Sequence, residues 1–128
     1  MSNSYIVSIG SNSDAEQKVE AVKKILTERF DQVVFSDFKW VPPVGDHYKL
    51  PFYNGAVRFL SGLDPVDLKQ QLKAIESILG RTPDQKAVGV VPIDLDIIVC
   101  NKAIVHIDYE RFPFVKEATD SLLKHNNK

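Results

Sequence analysis

Residues 92–100 constrain the fold of this chain more than any other segment. The segment is apolar and rich in β-branched residues, and its proline stands at the first position, as is typical of a buried β-strand. Because side chains alternate between the two faces of a strand, one face is expected to carry four apolar residues: Ile93, Leu95, Ile97 and Val99. The other face then carries Asp94 and Asp96.

Two carboxylates on one face of a strand lie about 6–7 Å apart and repel each other unless a cation lies between them. Oxygen ligands at this spacing suit one or two magnesium ions that carry a polyphosphate. The same pattern also arises where a solvated sheet face happens to hold two aspartates. Asp94 and Asp96 alone therefore predict either a magnesium site or an ordinary exposed face.

Composition and charge exclude several classes of protein. With 128 residues, the chain is expected to form a single domain over 1–128. A formal net charge of −1 argues against a protein that coats nucleic acid. No apolar run approaches the roughly 20 residues that span a bilayer, and no signal-peptide pattern is visible, so a cytoplasmic location is expected. The single cysteine excludes an intramolecular disulfide, and the three histidines lack zinc-site spacing.

The other elements follow one another in an informative order. Residues 5–9, 32–40 and 52–60 have the composition of strands, whereas 14–30 and 64–79 repeat apolar residues at helical spacing. A capping box formed by Ser13 and Glu16 is expected to begin the first helix. Asp64 followed by Pro65 is expected to begin the second. A short strand over 103–107 and a weakly amphipathic helix after Pro113 come last.

The order β-α-β-β-α-β predicts an α+β, ferredoxin-like sandwich, in which an antiparallel sheet has its helices packed on one face. The strands at 5–9 and 92–100 are the most continuously apolar and are expected at its centre. Asp94 and Asp96 should then face a cleft opposite the helices, beneath the loop 41–51 and the segment 81–91. The fold alone does not select a function.

Three further features are candidates for ligand binding. The loop 41–51 contains three prolines and a glycine, which is typical of a rigid pocket wall or of a long hairpin connection. Asn54 beside Phe52 suits the edge and the face of a flat heterocycle, and it equally suits a turn or bulge before Gly55. Glu76 lies near the C-terminus of its helix, where an anion is not favoured, so it is either an ordinary surface residue or a functional one.

Five motifs together resemble the 6-hydroxymethyl-7,8-dihydropterin pyrophosphokinase family, which transfers diphosphate from ATP to a pterin alcohol in folate biosynthesis. The motifs lie at 9–12, at 42–45, at 51–57, at 75–76 with 80–81, and at 92–97. Each motif alone is weak. Their common order over residues 5–99 is what identifies the chain as similar to this family.

The resemblance implies a role for each matched residue on the nucleotide side. Asp94 and Asp96 would bind two Mg²⁺ ions that bridge the phosphates of the co-substrate ATP. Arg81 would act with them at the nucleotide end of the site, and Glu76 and Ile97 would contact the nucleotide. The chemistry requires in-line positioning and charge neutralisation, without a covalent intermediate on the enzyme.

On the pterin side, the resemblance implies that Phe52 stacks on the ring and that Asn54 hydrogen-bonds to its edge. Four residues of the proline-rich loop would complete the pocket: Val41, Pro42, Pro43 and Val44. The expected ligands are therefore a pterin and ATP, without nucleic acid or membrane. The expected state is a monomer or a weak dimer.

The sequence departs from the family pattern at several positions. Val91 stands where an arginine is common, Pro83 stands near a second arginine, and Val88 and Phe114 replace a tryptophan and a histidine. The chain also ends at Lys128, before a further arginine, phenylalanine and helix of the family. Losing one positioned cation lowers a rate by on the order of 10²–10³-fold.

Two alternatives to an active pyrophosphokinase follow from these departures and from the fold. The first is a relative that binds a pterin or a nucleotide with weak or no turnover. The second is a ferredoxin-like regulatory or assembly domain whose sheet face packs on a partner, which would form oligomers without any ligand.

Overall fold

The computed structural model describes residues 2–125 of the chain. Its six strands are β1 (Asn3–Ser11), β2 (Asp31–Phe35), β3 (Lys39–Val41), β4 (Phe52–Ser61), β5 (Asp94–Cys100) and β6 (Ala103–Ile104). Its helices are α1 (Ala15–Arg29), α2 (Pro65–Ile78), α3 (Asp108–Arg111) and α4 (Pro113–His125), with a 3₁₀ helix at Pro83–Val88. None of the helices within 2–125 combines the length and apolar character that crossing a membrane requires.

The strands form one antiparallel sheet with β1 at its centre. The order is β2-β4-β1-β5-β6, and β3 also pairs with β4. The β1–β4 ladder runs from the pair Asn3 and Ser61 to the pair Ser11 and Tyr53. This topology confirms the predicted ferredoxin-like α+β fold and the central position of β1. The predicted central position of β5 is wrong, because β4 pairs with β1, β2 and β3, whereas within residues 2–125 the outer side of β5 pairs only with the two-residue β6.

Helices cover both faces of the sheet. Residues of α1 and α2 such as Val22 and Leu72 are fully buried against Val7 of β1 and Phe59 of β4. On the other face, Val115 and Leu122 of α4 pack against Ile6 of β1. The predicted one-sided arrangement therefore describes α1 and α2, while α4 closes part of the opposite face.

A β-bulge in β5 changes which side chains share a face. Val7 pairs with Ile97, but its neighbour Ile6 pairs with Val99, so Ile98 is an extra residue in β5. Ile98 and Val99 both join the apolar cluster under α4. The prediction that Val99 lies on the same face as Leu95 and Ile97 is therefore wrong, because strict alternation ends at the bulge.

The start of α2 follows the prediction, and the start of α1 does not. The Asp64 side chain accepts a hydrogen bond from the amide of Asp67 at 2.9 Å. At α1, the residue before the helix is Asp14, in a left-handed conformation with φ of 49°, and it makes no side-chain cap. Ser13 is used differently, since its carbonyl accepts a hydrogen bond from the Ser11 hydroxyl at 3.2 Å. The predicted capping box is therefore absent.

Two strand predictions differ from the structure in extent. The strand expected over 32–40 is divided into β2 and β3, and the two both pair with β4. The strand expected over 103–107 is limited to β6, although the amide of Val105 still donates to the Ile98 carbonyl at 2.8 Å. Beyond that hydrogen bond the chain leaves the sheet edge and turns into α3.

Candidate active site

A cavity of about 850 Å³ lies on the sheet face opposite α1 and α2. It is lined by residues of β1, β4 and β5, by the loop after β3, by the segment after α2 and by the region of α3 and α4. Eight of the residues predicted for the site line it: Val41, Pro42, Val44, Phe52, Asn54, Arg81, Asp94 and Asp96. Segments that are far apart in the sequence thus meet at one cavity.

Arg81 lies between two carboxylates, those of Asp94 and Glu76, and contacts both. Its Nη1 donates to Asp94 Oδ1 at 2.9 Å and to the Ile93 carbonyl at 3.1 Å. The same nitrogen lies 3.2 Å from Glu76 Oε1. In the ligand-free protein Arg81 therefore neutralises Asp94, the carboxylate that the resemblance assigns to a metal.

Among residues 2–125, no lysine or arginine forms such an ion pair with Asp96. Its side chain is 26% exposed, and its nearest cationic candidate is His106, whose Nε2 lies 4.0 Å from Asp96 Oδ1. Burial, together with the negative charges of Asp94 and Asp108, raises the pKa of Asp96 to about 7. The free protein therefore holds a carboxylate here that ionises reluctantly near neutral pH, which is the electrostatic condition that a bound cation relieves.

Glu76 lies beneath the cavity and does not line it. Its side chain is 4% exposed, and its Oε2 accepts a hydrogen bond from the amide of Leu95 at 2.8 Å. Burial raises the pKa of Glu76, while the Leu95 amide and the Arg81 guanidinium oppose that shift. Glu76 therefore ties α2 to β5 between the two aspartates. Its contact with a nucleotide stays a prediction.

The pterin assignment rests on Phe52 and Asn54 at the start of β4. Asn54 pairs with Gly10 across the β1–β4 ladder. A Cβ at residue 10 would lie 2.4 Å from Asn54 Oδ1, so only glycine leaves the Asn54 amide its place in the cavity. Phe52 makes an edge-to-face contact with Tyr48, with ring centroids 5.2 Å apart. An aromatic face and an amide are thereby presented side by side.

Hydrogen bonds from Asn12, the residue directly after β1, hold the segment 81–91 close to the cavity. The buried Asn12 amide donates to the Gly89 carbonyl at 2.8 Å, and its oxygen accepts from the Val91 amide at 2.7 Å. His47 Nε2 lies 2.7 Å from the Lys86 carbonyl, which joins this segment to the proline-rich loop. Gly89 has φ of 75°, the left-handed conformation that glycine adopts readily. The two segments that border the cavity are thus connected to each other.

Two predicted residues lie away from the cavity in addition to Glu76. Ile97 packs against the apolar core under α1 and α2, on the other face of the sheet. Pro43 does not line the cavity, although Pro42 and Val44 do. A direct role for Ile97 or Pro43 in ligand binding stays a prediction without support from their positions.

Several cavity residues were not predicted from the sequence: Tyr48, Lys73, His106, Asp108, Arg111 and Phe112. Phe114, which stands in place of a family histidine, and Lys86 also line the cavity. The rings of Phe112 and Phe114 are stacked, with centroids 5.3 Å apart. The alternation His106-x-Asp108 soon after the Asp94-x-Asp96 pair was an available signal. Whether His106 and Asp108 come close to Asp96 depends on the turn from β6 into α3, and the sequence pattern does not predict the geometry of that turn.

Known proteins resemble this chain over most of its length. A family model described as 7,8-dihydro-6-hydroxymethylpterin-pyrophosphokinase (HPPK) matches residues 6–123. Two curated proteins from two strains of Porphyromonas gingivalis, each named 2-amino-4-hydroxy-6-hydroxymethyldihydropteridine pyrophosphokinase, are 36% identical to the chain over 99 residues. The matched region covers 73% of this chain and 66% of each relative, so the chain spans slightly less than two thirds of their length. On the strength of the family match over almost all of its length, the chain belongs to the 7,8-dihydro-6-hydroxymethylpterin-pyrophosphokinase family.

Proposed function

We propose that this protein transfers diphosphate from ATP to 6-hydroxymethyl-7,8-dihydropterin, the step that the family performs in folate biosynthesis. The hydroxymethyl oxygen would form a bond to the β-phosphorus of ATP. The bond from that phosphorus to the oxygen bridging to the α-phosphorus would break, AMP would leave, and the hydroxyl proton would be released. Such a transfer depends on in-line positioning and on neutralising charge.

The observation that carries this proposal is the convergence of two kinds of group at one cavity. Asp94 and Asp96 are hard oxygen donors, whereas Phe52 and Asn54 offer a stacking face and an amide for a flat heterocycle. A cavity of about 850 Å³ falls within the range of roughly 300–1,000 Å³ common for small-molecule sites. An aromatic alcohol and a polyphosphate could therefore be held in one place.

The donor set fits magnesium. Asp94 and Asp96 are separated by one residue on β5, and both reach the cavity. Two Mg²⁺ ions held there with the phosphates of ATP would supply positive charge to oxygens that become more negative during transfer. Arg81 holds Asp94 in place before any ligand arrives, because it donates to that carboxylate at 2.9 Å.

Lys86 and Arg111 are proposed to bind the phosphates in place of the arginines that the family pattern carries elsewhere. Both line the cavity, and neither belongs to an ion pair among residues 2–125. Val91, which stands where the family commonly has an arginine, is 5% exposed, and its backbone amide donates a hydrogen bond to Asn12.

Replacing Lys86 or Arg111 by glutamine is expected to weaken binding of a non-hydrolysable ATP analogue with Mg²⁺ by about 10-fold each. The reason is that a hydrogen bond to a charged group contributes roughly 1.5–3 kcal/mol. Titration calorimetry measures the effect. Lys69→Gln, an exposed change on α2, is the matched control. Unchanged affinity in both cavity variants would contradict the assignment.

Asn54→Ala is expected to weaken binding of 6-hydroxymethylpterin by at least about 10-fold, because a polar pocket group would be lost, and to leave binding of the ATP analogue unchanged. Gly10→Ala should weaken pterin binding similarly, since its new Cβ would lie 2.4 Å from Asn54 Oδ1. Gly62→Ala is the control, because a Cβ at that position meets nothing within 4 Å. Equal weakening of both ligands would instead indicate a structural role for Asn54.

A second candidate function is ligand binding without turnover. The small number of unpaired cations at the cavity favours this function. Arg81 is paired with Asp94 and Glu76, and Lys73 lies 3.8 Å from Glu76. Within residues 2–125, Lys86 and Arg111 are then the two lysine or arginine side chains at the cavity that are available to bind phosphates. A protein of this kind would bind the pterin, and would bind ATP weakly or not at all.

Calorimetric titration with 6-hydroxymethylpterin, alone and with the ATP analogue and Mg²⁺, combined with an assay for AMP release from ATP, separates these functions. Binding of both ligands with AMP formation supports the transferase. Pterin binding without AMP formation supports the second candidate. Absence of binding by both ligands would contradict both and leave family membership alone.

A further inference from the structure

We propose that Asp96, His106 and Asp108 form a site for one first-row transition-metal ion, which the protein binds without nucleotide or pterin. One ligand atom from each residue lies within 4.8 Å of the other two. His106 Nε2 is 4.0 Å from Asp96 Oδ1, and His106 Nδ1 is 3.6 Å from Asp108 Oδ2. These two distances involve different ring nitrogens, and an imidazole offers one ion only one of them, so the span of up to 4.8 Å among one ligand atom from each residue is the relevant measure. Ligands about 2.0–2.2 Å from a shared ion lie roughly 3–4.4 Å from each other, so the cluster would contract when an ion binds.

The charges around the cluster favour a cation. Asp94 is neutralised by Arg81, but no lysine or arginine in residues 2–125 forms an ion pair with Asp96 or Asp108. The side chains of Asp96 and Asp108 are 26% and 21% exposed, so water screens their repulsion only in part. Within residues 2–125, the His106 imidazole is the cationic candidate that lies within 4.0 Å of both carboxylates. A divalent ion would balance the two carboxylates.

The backbone directs the imidazole toward Asp96. The amide of Asp108 donates to His106 Nδ1 at 3.1 Å, which leaves Nε2 facing Asp96. When an ion binds at Nε2, the ring proton moves to Nδ1, where it faces the Asp108 carboxylate and the amide hydrogen bond is given up. A carboxylate on the far nitrogen of a ligating histidine is a common way to orient the ring. Asp108 would therefore either ligate the ion or orient its histidine ligand.

The donor types indicate which ion binds. Mg²⁺ prefers oxygen ligands and keeps several waters, whereas an imidazole nitrogen beside carboxylates suits Mn²⁺, Zn²⁺ and similar ions. This site shares Asp96 with the proposed magnesium site but uses His106 and Asp108, which that site does not involve. It concerns the ligand-free protein, so it stands apart from the proposed transfer reaction.

Electron paramagnetic resonance with Mn²⁺ as the probe tests the inference on the full chain, free of nucleotide and pterin, in excess Mg²⁺. We expect one bound Mn²⁺ per chain and ¹⁴N coupling from one imidazole. His106→Gln should remove the ¹⁴N coupling and weaken binding by about 10-fold or more, and Asp108→Asn should weaken it by about 10-fold.

Two controls match these variants: His47→Gln for the imidazole and Glu20→Gln for a carboxylate on α1. Absence of Mn²⁺ binding, or binding without ¹⁴N coupling in the unmodified protein, would overturn the inference without depending on whether any variant folds. Equal binding by His106→Gln would also overturn it. One bound Mn²⁺ with ¹⁴N coupling, in a protein that releases no AMP, would support this site and contradict the transfer reaction. AMP release without such Mn²⁺ binding would support the transfer reaction and contradict this site.

Discussion

Asp96→Asn is expected to lower AMP formation by on the order of 10³-fold and to remove Mg²⁺-dependent binding of the ATP analogue. The substitution keeps the size of the side chain and removes the charge that would hold the metal. A metal ion at a phosphoryl group contributes several kcal/mol to the transition state, and every 1.36 kcal/mol corresponds to about 10-fold in rate. Calorimetry with and without Mg²⁺, followed by the AMP assay, measures both effects.

The same substitution should stabilise the ligand-free protein. The pKa of Asp96 is about 7 in the folded protein, whereas the ordinary pKa of an aspartate, which applies to the unfolded chain, is 3.8. Between these values the native state binds more protons than the unfolded state, so the free energy of unfolding falls as pH rises through this window. Asparagine carries no charge and avoids that fall. Above pH 7 the gain is at most about 4 kcal/mol, at about 1.36 kcal/mol per pKa unit.

Thermal or urea unfolding of the unmodified protein and of Asp96→Asn, at pH 4 and pH 8 and with and without Mg²⁺, tests whether Asp96 lowers the stability of the ligand-free protein. The stability difference should be small at pH 4 and large at pH 8. Added Mg²⁺ should raise the stability of the unmodified protein and leave the variant unchanged, because a ligand stabilises only the state that binds it. Asp31→Asn, an exposed change in β2, is the control. Unaltered nucleotide binding by Asp96→Asn would show the metal assignment to be wrong.

Glu76→Ala is expected to destabilise the fold by about 3 kcal/mol. Its carboxylate accepts from the Leu95 amide at 2.8 Å and pairs with Arg81 at 3.2 Å, so its removal leaves a buried amide without an acceptor and weakens a buried ion pair. Removing one member of a buried pair costs roughly 3–5 kcal/mol. Because Arg81 keeps Asp94, the lower end of that range applies. Urea unfolding measures the change.

Glu76→Gln separates the structural role of Glu76 from the nucleotide contact that the family resemblance implies. The glutamine carbonyl can still accept from the Leu95 amide. Because the glutamine amide is uncharged, it also avoids the cost of burying a charged carboxylate, which is what raises the pKa of Glu76, so a stability change within about 1 kcal/mol is expected. Nucleotide affinity should then be close to that of the unmodified protein. A normally stable Glu76→Gln protein with strongly weakened nucleotide binding would instead support a direct contact. Glu20→Ala on the exposed face of α1 is the control for Glu76→Ala.

Patterns along the chain predicted most of the fold because apolar periodicity depends on which side of an element is buried. The strands β1, β4 and β5 and the helices α1 and α2 are all found where the sequence placed them, and Asp64 caps α2 as predicted. Errors occur where the outcome depends on pairing between strands. The bulge at Ile98, which moves Val99 to the other face, results from the β1–β5 register, and single-strand alternation contains no information about that register.

In the site, too, local sequence patterns predicted some positions and tertiary packing decided the others. Motif order placed Asp94, Asp96, Phe52, Asn54 and Arg81 correctly at one cavity, since each lies on an element that the sequence itself predicts. Glu76 lies beneath that cavity and Ile97 lies on the opposite face, because burial was decided by how α2 and β5 pack. His106 and Asp108 reach Asp96 only through the turn from β6 into α3.

The amino-acid sequence by itself therefore determined the family, the ferredoxin-like topology and the pair of carboxylates on β5, because these depend on local periodicity and on the order of motifs along one chain. Only the tertiary structure decided that Arg81 neutralises Asp94, that Glu76 supports β5 from within, and that His106 and Asp108 face Asp96. The physical reason is that charge pairing and burial depend on distances across the fold. Residues separated by many positions approach within a few ångströms only after the sheet and its covering helices have packed.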